Sequence, residues 1–111
     1  MVELQDMQRP APEERVAQWI AERYSFVDRI WVFGSRATGR ARPRSDIDLA
    51  IECPQASEAE WIRLANDVDE ESPGMLTVDV VRLEAAPDEL RDKILKTRWL
   101  LYDRDRAQGS L

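Results

Sequence analysis

The chain has 111 residues, with 16 Lys and Arg against 22 Asp and Glu, so its net charge is −6. This length fits one domain, and no apolar stretch approaches the roughly 18 residues that a membrane helix needs. The sequence contains no histidine, which excludes serine and cysteine triads of the usual kind, histidine-liganded zinc and imidazole acid–base catalysis. If the chain is an enzyme, carboxylates and a hard metal ion must carry its chemistry.

Charge and cysteine content also bear on partners and compartment. An acidic protein is a poor general binder of nucleic acid, because such binding requires the neutralisation of many backbone phosphates. Direct nucleic-acid binding is therefore not expected. The acidic N-terminus lacks the apolar segment of a signal peptide. The single Cys53 cannot form an internal disulfide, so a reducing cytoplasm is the expected setting.

The first half of the chain predicts an arm, a helix and two strands. Residues 1–11 are expected to form the arm, and Pro12, followed by two glutamates, marks the start of the helix. Strands are predicted over residues 29–33 and 46–52, with a turn and a loop between them. The helix positions expected to face the core recur at helical spacing and are Val16, Trp19, Ile20 and Tyr24.

The second half predicts two helices and two strands. Ser57 and Glu60 have the spacing of a capping box at a helix start. The later elements are a strand over 76–81, a helix that opens at Pro87 with Leu90, Ile94 and Leu95 inward, a strand over 99–102 and a solvent-exposed tail over 103–111 that includes Asp103 and Asp105. The four tryptophans are expected in the core. This order predicts an α/β (α+β) domain over residues 12–102, a small mixed sheet with helices packed on one face.

A glycine–serine pair ends the first predicted strand. Gly34 closes an apolar run, and glycine lets the backbone turn sharply and approach a ligand closely. Ser35 adds a hydroxyl that can bond a phosphate oxygen. The pair therefore predicts a phosphate-binding turn.

Three aspartates predict a metal site. Strand alternation puts Asp46 and Asp48 on one face of the second strand. Asp79 interrupts the third strand, where aspartate is unfavourable, and it lies on the same face if the two strands are neighbours. Because clustered carboxylates repel, a hard cation such as Mg²⁺ is their expected partner. The alternative for Asp79 is an edge-strand position that faces water.

The loop between the glycine–serine pair and the aspartates is rich in arginine. Four arginines against two aspartates give residues 34–51 a local charge of +2. An arginine cluster beside such a turn suits one small polyphosphate. The alternative is that the arginines only solvate the loop. The four are Arg36, Arg40, Arg42 and Arg44.

These residues resemble the nucleotidyltransferase signature of the DNA polymerase beta superfamily. The signature is Gly34-Ser35, a ten-residue gap, Asp46-Ile47-Asp48, and Asp79 in a later strand. In its small size the chain resembles members of the minimal nucleotidyltransferase branch of this superfamily. These members pair with HEPN-domain proteins in toxin–antitoxin modules. The resemblance implies a polymerase beta-like fold, with Asp46 and Asp48 as ligands of two metal ions and Asp79 as the third acid. The family pattern implies that Ser35 contacts the triphosphate, and the full set of expected nucleotide-binding positions is Gly34, Ser35, Arg36, Arg44 and Ser45.

The resemblance also implies an activity and a partner. The activity is that of a protein adenylyltransferase, which transfers AMP from ATP to a hydroxyl side chain, tyrosine foremost, of a HEPN ribonuclease toxin. Two Mg²⁺ ions, for which Mn²⁺ can substitute, would act in catalysis, and the toxin would complete the site within a hetero-oligomer. Two alternatives stay open: an antitoxin that neutralises the toxin by contact alone, and a nucleotidyltransferase subunit that acts on a small molecule or an RNA end.

Overall fold

A computed structural model describes residues 10–108 of the chain. Residues 1–9 of the predicted arm and residues 109–111 of the predicted tail lie outside the described residues. The helices are α1 (Pro12–Arg23), α2 (Ser35–Thr38), α3 (Glu58–Glu71), α4 (Asp88–Thr97) and α5 (Arg104–Gln108). The strands are β1 (Arg29–Phe33), β2 (Ile47–Glu52), β3 (Val78–Arg82) and β4 (Trp99–Asp103), with a 3₁₀ turn at Leu83–Ala85. None of the helices in this described part is long and apolar enough to cross a membrane.

The four strands form one mixed sheet in the order β3-β2-β1-β4. Strand β1 runs antiparallel to both of its neighbours, whereas β2 and β3 are parallel. The predicted small mixed sheet is therefore confirmed. Strand β2 begins at Ile47 and β3 begins at Val78, so both strands start slightly later than the sequence predicts, and Asp46 lies at the entry to β2.

Local sequence signals start the two long helices. Pro12 and Glu13 lie in the first turn of α1, where acidic side chains interact favourably with the helix dipole. Ser57 caps α3, because its hydroxyl accepts a hydrogen bond from the Glu60 amide at 3.1 Å and the Glu60 carboxylate accepts one from the Ser57 amide at 2.8 Å. This is the capping box that the sequence predicts.

Helices cover both faces of the sheet rather than one. Helices α1 and α3 pack on the larger core cluster, which includes Val16, Ile20, Ile30, Leu49, Leu64 and Val68. Helix α4 packs on the opposite face, where its residues Leu90 and Ile94 join Phe33 and Ala50. The physical reason is that β1 and β2 carry apolar side chains on both faces, and neither face can be left to water without losing hydrophobic stabilisation.

Two side chains that were expected inside are exposed. Leu95 is 44% exposed and Trp99 is 67% exposed. Leu95 follows the buried Ile94 by one residue, which rotates it about 100° around the helix and away from the sheet. Trp99 begins β4, an edge strand, where only one neighbouring strand can shield it.

Part of the predicted tail is structured. Asp103, expected in solvent, ends β4 directly opposite Arg29, and the two side chains are 3.3 Å apart. Arg104 then forms an ion pair with Asp28 at 2.6 Å at the start of α5. Opposite charges that face each other across strands favour pairing, which explains why β4 continues beyond residue 102.

Candidate active site

Strand β1 ends in a turn that favours glycine. Gly34 has φ +76° and ψ −150°, a backbone region that is almost restricted to glycine. Asp48 lies directly opposite Phe33 in the β1–β2 register, so its carboxylate reaches the turn. A Cβ added to Gly34 would lie 2.6 Å from Asp48 Oδ2. The carboxylate therefore occupies the space that a side chain at position 34 would need.

Two of the three aspartates lie on the face of the sheet that α4 covers. Asp48 pairs with Asp79 across the parallel strands β2 and β3, and neighbouring strands lie about 4.8 Å apart. Asp46 lies two residues before Asp48, at the entry to β2, and its negative charge acts on the Asp48 carboxylate. The face is established by Ala50 and Val81, two residues beyond Asp48 and Asp79, which pack in the α4 cluster. Asp48 and Asp79 thus share one face at one end of the sheet, and Asp46 is near Asp48 at the same end.

The ionisation of Asp48 reflects this crowding. Burial raises the pKa of Asp48, and the negative charges of Asp79 and Asp46 raise it further. Lys93 on α4 acts in the opposite direction and lowers the pKa. The acids are therefore close enough to repel, and additional positive charge beside them would stabilise their ionised forms.

The donor set suits a hard divalent cation. Carboxylate oxygens are the ligands that Mg²⁺ and Mn²⁺ prefer. Within residues 10–108, no three Asp, Glu or Cys side chains have metal-ligating geometry as they stand. Asp46 and Asp79 are exposed, so packing does not hold either side chain in the position that it has here. The chemistry and the placement of the acids fit a metal ion, and its binding stays a prediction.

Most residues predicted to hold the nucleotide border the same end of the sheet. Ser35 opens α2 directly after the Gly34 turn. The Ser45 hydroxyl accepts a hydrogen bond from the Arg42 amide at 2.8 Å and so shapes the loop before β2. Arg44 is exposed on that loop. Their contacts with a nucleotide stay predictions.

Arg36 has partners other than those expected of a nucleotide ligand. Its guanidinium donates to the Ser45 carbonyl from Nε at 3.2 Å and from Nη2 at 2.7 Å. Nη2 also donates to the Pro43 carbonyl at 3.3 Å. Nη1 lies 3.4 Å from the carboxylate of Glu13 on α1. In this structure Arg36 therefore binds the loop between α2 and β2.

Lys93 is a residue near the site that the sequence patterns miss. Leu90 and Ile94 pack α4 against the sheet face that carries the aspartates. Lys93 lies three residues after Leu90 and one before Ile94, which places it at the border of the same helix face. The spacing becomes informative only once it is known which sheet face α4 covers. Asp46, Asp48 and Asp79 together form the acid cluster, and Lys93 is its cationic neighbour.

The chain matches a known protein family over most of its length. The family model described as "Polymerase beta, Nucleotidyltransferase" matches residues 16–107. The chain belongs to this family. The match includes the Gly34 turn and all three aspartates, so the candidate site of this nucleotidyltransferase lies inside the family domain.

Solved structures share the fold of this nucleotidyltransferase. A chain from a crystal structure of a toxin–antitoxin with AMP-PNP is 21% identical with a TM-score of 0.63, and the match covers 88% of this chain and 78% of that chain. A chain from the complex of a tri-AMPylated Shewanella oneidensis HEPN toxin with an MNT antitoxin is 19% identical with a TM-score of 0.59, and the match covers 89% and 76%. At such identities the likeness shows the fold alone. No curated protein matches the chain.

Proposed function

We propose that this nucleotidyltransferase is an antitoxin that transfers AMP from ATP to a hydroxyl side chain, tyrosine foremost, of a cognate HEPN ribonuclease toxin. The observation that carries the proposal is the pairing of Asp48 with Asp79 in register, beside the Gly34 turn. Membership of the family supports nucleotidyl transfer. The choice of acceptor is supported by the structurally similar complexes, of which one contains AMP-PNP and another a tri-AMPylated HEPN toxin.

The proposed reaction is an in-line displacement at the α-phosphorus of ATP. The acceptor oxygen forms a bond to that phosphorus, and the bond from the phosphorus to the pyrophosphate oxygen breaks. The hydroxyl proton passes to the Asp79 carboxylate, directly or through a water molecule. The products are an AMP-modified side chain and pyrophosphate. Asp79 is exposed on the edge strand β3, so an acceptor side chain from another protein can reach it.

Each site residue has a part in this reaction. Two divalent ions, when bound, would stabilise the charge on the attacking and leaving oxygens. Asp46 and Asp48 would hold both ions, and Asp79 would hold the one nearer the acceptor. The Gly34 turn lets the triphosphate approach the main chain, and Ser35 donates a hydrogen bond to a phosphate oxygen. Donors that bind the departing pyrophosphate are further supplied by Arg44 and Ser45.

The acid cluster is open on one side, because Asp46 and Asp79 are both exposed. Efficient transfer requires an acceptor held in line and a site from which water is excluded. A toxin bound over this face would meet both requirements. The proposal therefore includes a hetero-oligomer in which the toxin is both substrate and part of the site.

Mass spectrometry of the toxin after incubation with the wild-type chain, ATP and Mg²⁺ tests the proposal. We expect the toxin to gain the mass of one or more AMP residues. Asp46→Asn/Asp48→Asn should abolish this gain, because it removes the carboxylates shared by both ions. The matched control is Asp69→Asn/Glu70→Gln on α3, which removes the same charge from an exposed part of a helix and should leave the gain unchanged.

Binding and protection assays separate the proposal from its two alternatives. The Asp46→Asn/Asp48→Asn variant should still bind the toxin but should protect cells less than the wild type. Equal protection by both, with unmodified toxin in each case, would replace AMP transfer by neutralisation through contact. Transfer of label from ATP to RNA or to a small molecule, with the toxin unmodified, would favour the other alternative, a nucleotidyltransferase subunit that acts on a small molecule or an RNA end.

A further inference from the structure

The donors of Arg36 are almost all engaged within the chain. Arg36 directly follows the Gly34-Ser35 pair, yet its side chain turns back to the loop before Asp46. A guanidinium has five N–H donors. Four are engaged, because Nε donates to Ser45, Nη2 donates to both Ser45 and Pro43, and Nη1 donates to Glu13. The one donor that remains is too few for the bidentate contact by which arginine recognises a phosphate.

The carbonyl that Arg36 holds most closely adjoins a predicted metal ligand. The Ser45 carbonyl belongs to the peptide group that joins Ser45 to Asp46, and a peptide group is planar. Two nitrogens of Arg36 bind this oxygen, at 3.2 and 2.7 Å. Fixing the oxygen fixes the plane from which the Cα and the side chain of Asp46 extend. The Arg36 side chain is 8% exposed, so these bonds are largely shielded from competing water.

Glu13 ties this arrangement to the first turn of α1. Its carboxylate lies 3.4 Å from Nη1 of Arg36, and its side chain is 17% exposed. A buried guanidinium without a negative partner would be costly, so Glu13 keeps Arg36 in place. The direction of Asp46 therefore depends on a chain of contacts that starts at Glu13 and passes through Arg36 and Ser45.

We propose that Arg36 is a positioning residue that directs Asp46 into the acid cluster, with Glu13 as its anchor, and that it is not a ligand of the triphosphate. The catalytic part of this inference rests on the proposed nucleotidyl transfer. A positioning residue acts on the metal ligand, so its loss should change kcat and the metal dependence. A triphosphate ligand would instead act on KM for ATP.

The first test is Arg36→Lys, which keeps the charge but offers one nitrogen in place of three. We expect kcat to fall about 10- to 100-fold and the Mn²⁺ concentration for half-maximal activity to rise by a similar factor, as for other residues that orient metal ligands. KM for ATP should stay within about twofold of the wild-type value. A KM raised about tenfold with kcat unchanged, or wild-type kinetics throughout, would overturn the proposal.

The second test uses two neighbouring glutamates and does not alter the arginine. Glu13→Gln removes the anchor, and we expect the same changes in kcat and metal dependence as for Arg36→Lys, at smaller size. Glu14→Gln is the matched control, because the Glu14 carboxylate accepts a hydrogen bond from the Ala11 amide and a carboxamide oxygen can replace it. If Arg36→Lys does not fold, Glu13→Gln decides, and equal kinetics for the two glutamate variants would overturn the proposal.

A third measurement needs no AMP transfer. The melting temperature is compared in ATP with Mn²⁺ and in ATP with EDTA, and Arg36→Lys should lose only the metal-dependent part of the shift. If the wild type transfers no AMP but shows a metal-dependent shift that Arg36→Lys lacks, the proposed function fails and the positioning role stands. If the wild type transfers AMP and Arg36→Lys keeps the whole shift, the positioning role alone fails.

Discussion

Gly34→Ala perturbs the contact between the Gly34 turn and the Asp48 side chain. The new methyl carbon would lie 2.6 Å from Asp48 Oδ2, well inside van der Waals contact. The Asp48 carboxylate must therefore move, and it must move while position 34 keeps φ +76°. We expect both the stability of the fold and the binding of metal with ATP to fall.

The magnitude follows from two costs. A non-glycine residue in the Gly34 backbone region costs about 1–3 kcal/mol. Moving the Asp48 side chain away from its preferred rotamer adds about 0.5–1.5 kcal/mol. The total is roughly 1.5–4.5 kcal/mol, which for a domain of this size lowers the melting temperature by about 6–18 °C, at about 4 °C per kcal/mol.

Gly39→Ala is the matched control for this substitution. Gly39 also has a positive φ, +78°, but a Cβ at this position meets no atom within 4 Å. Its left-handed backbone costs about 1–2 kcal/mol. The loss of unfolded-state entropy when glycine becomes alanine is common to both variants and cancels in the comparison. Gly39→Ala should therefore cost less than Gly34→Ala and keep the binding of metal with ATP.

Differential scanning fluorimetry with and without Mg²⁺ and ATP measures both effects. A ligand at about 100 times its Kd stabilises the folded state by about 2.7 kcal/mol. The wild type and Gly39→Ala should show this shift, and Gly34→Ala should lose most of it. The reasoning is refuted if Gly34→Ala is no less stable than Gly39→Ala and shows the same ligand-dependent shift.

Three other substitutions have expected outcomes that simple assays can check. Asp48→Asn should stabilise the chain in EDTA at about pH 7, because the raised pKa of Asp48 shows that its ionised form is disfavoured in the fold. The melting temperature should rise, and the gain in the free energy of unfolding should be less than about 1 kcal/mol. That gain should shrink as the pH falls through the raised pKa of folded Asp48 and should vanish below the ordinary pKa of aspartate, where Asp48 is protonated in both folded and unfolded states. A gain that grows toward acid pH would contradict the assignment. Lys93→Gln should raise the pKa of Asp48 further in a ¹³C NMR titration of the carboxyl carbon, since Lys93 lowers it, and an unchanged pKa would show that the two charges do not interact. Leu64→Ala, at a position with no exposure, should cost about 2–5 kcal/mol in urea denaturation, whereas Ile62→Ala, 50% exposed on the same helix, should cost much less, and similar losses would contradict the packing of α3.

The sequence predicts the elements that depend on local signals. Strand β1 has the predicted bounds, Arg29–Phe33, because an apolar run and a glycine define both of its ends. The capping box at Ser57 and the alternation through Asp48 are equally local, and both are observed in the fold. Alternation also shows which residues share a face before the neighbouring strands are known. The placement of Asp79 on the same face as Asp48 then required that β2 and β3 be adjacent and that the two aspartates be in register, and both conditions are met.

Apart from strand ends, the features that the sequence does not determine are tertiary contacts. Nothing in the pattern of α4 shows which face of the sheet it covers, since Leu90 and Ile94 are suited to either. The proximity of Lys93 to Asp48 depends on that choice. An arginine beside a phosphate-binding turn is equally compatible with a ligand and with a loop contact, and the carbonyls of Pro43 and Ser45 come within reach of Arg36 only in the folded loop.

The position of the acid cluster in the fold makes its chemistry separable from stability. The larger core lies on the other face of the sheet, between the strands and helices α1 and α3. The face with the acids has the smaller cluster under α4, and Asp46 and Asp79 are exposed beyond it. Because repelling carboxylates add nothing to the core, their removal should impair the site and leave the fold intact. A loss of activity in an acid variant can therefore be read as a loss of chemistry, provided that its melting temperature is unchanged or raised.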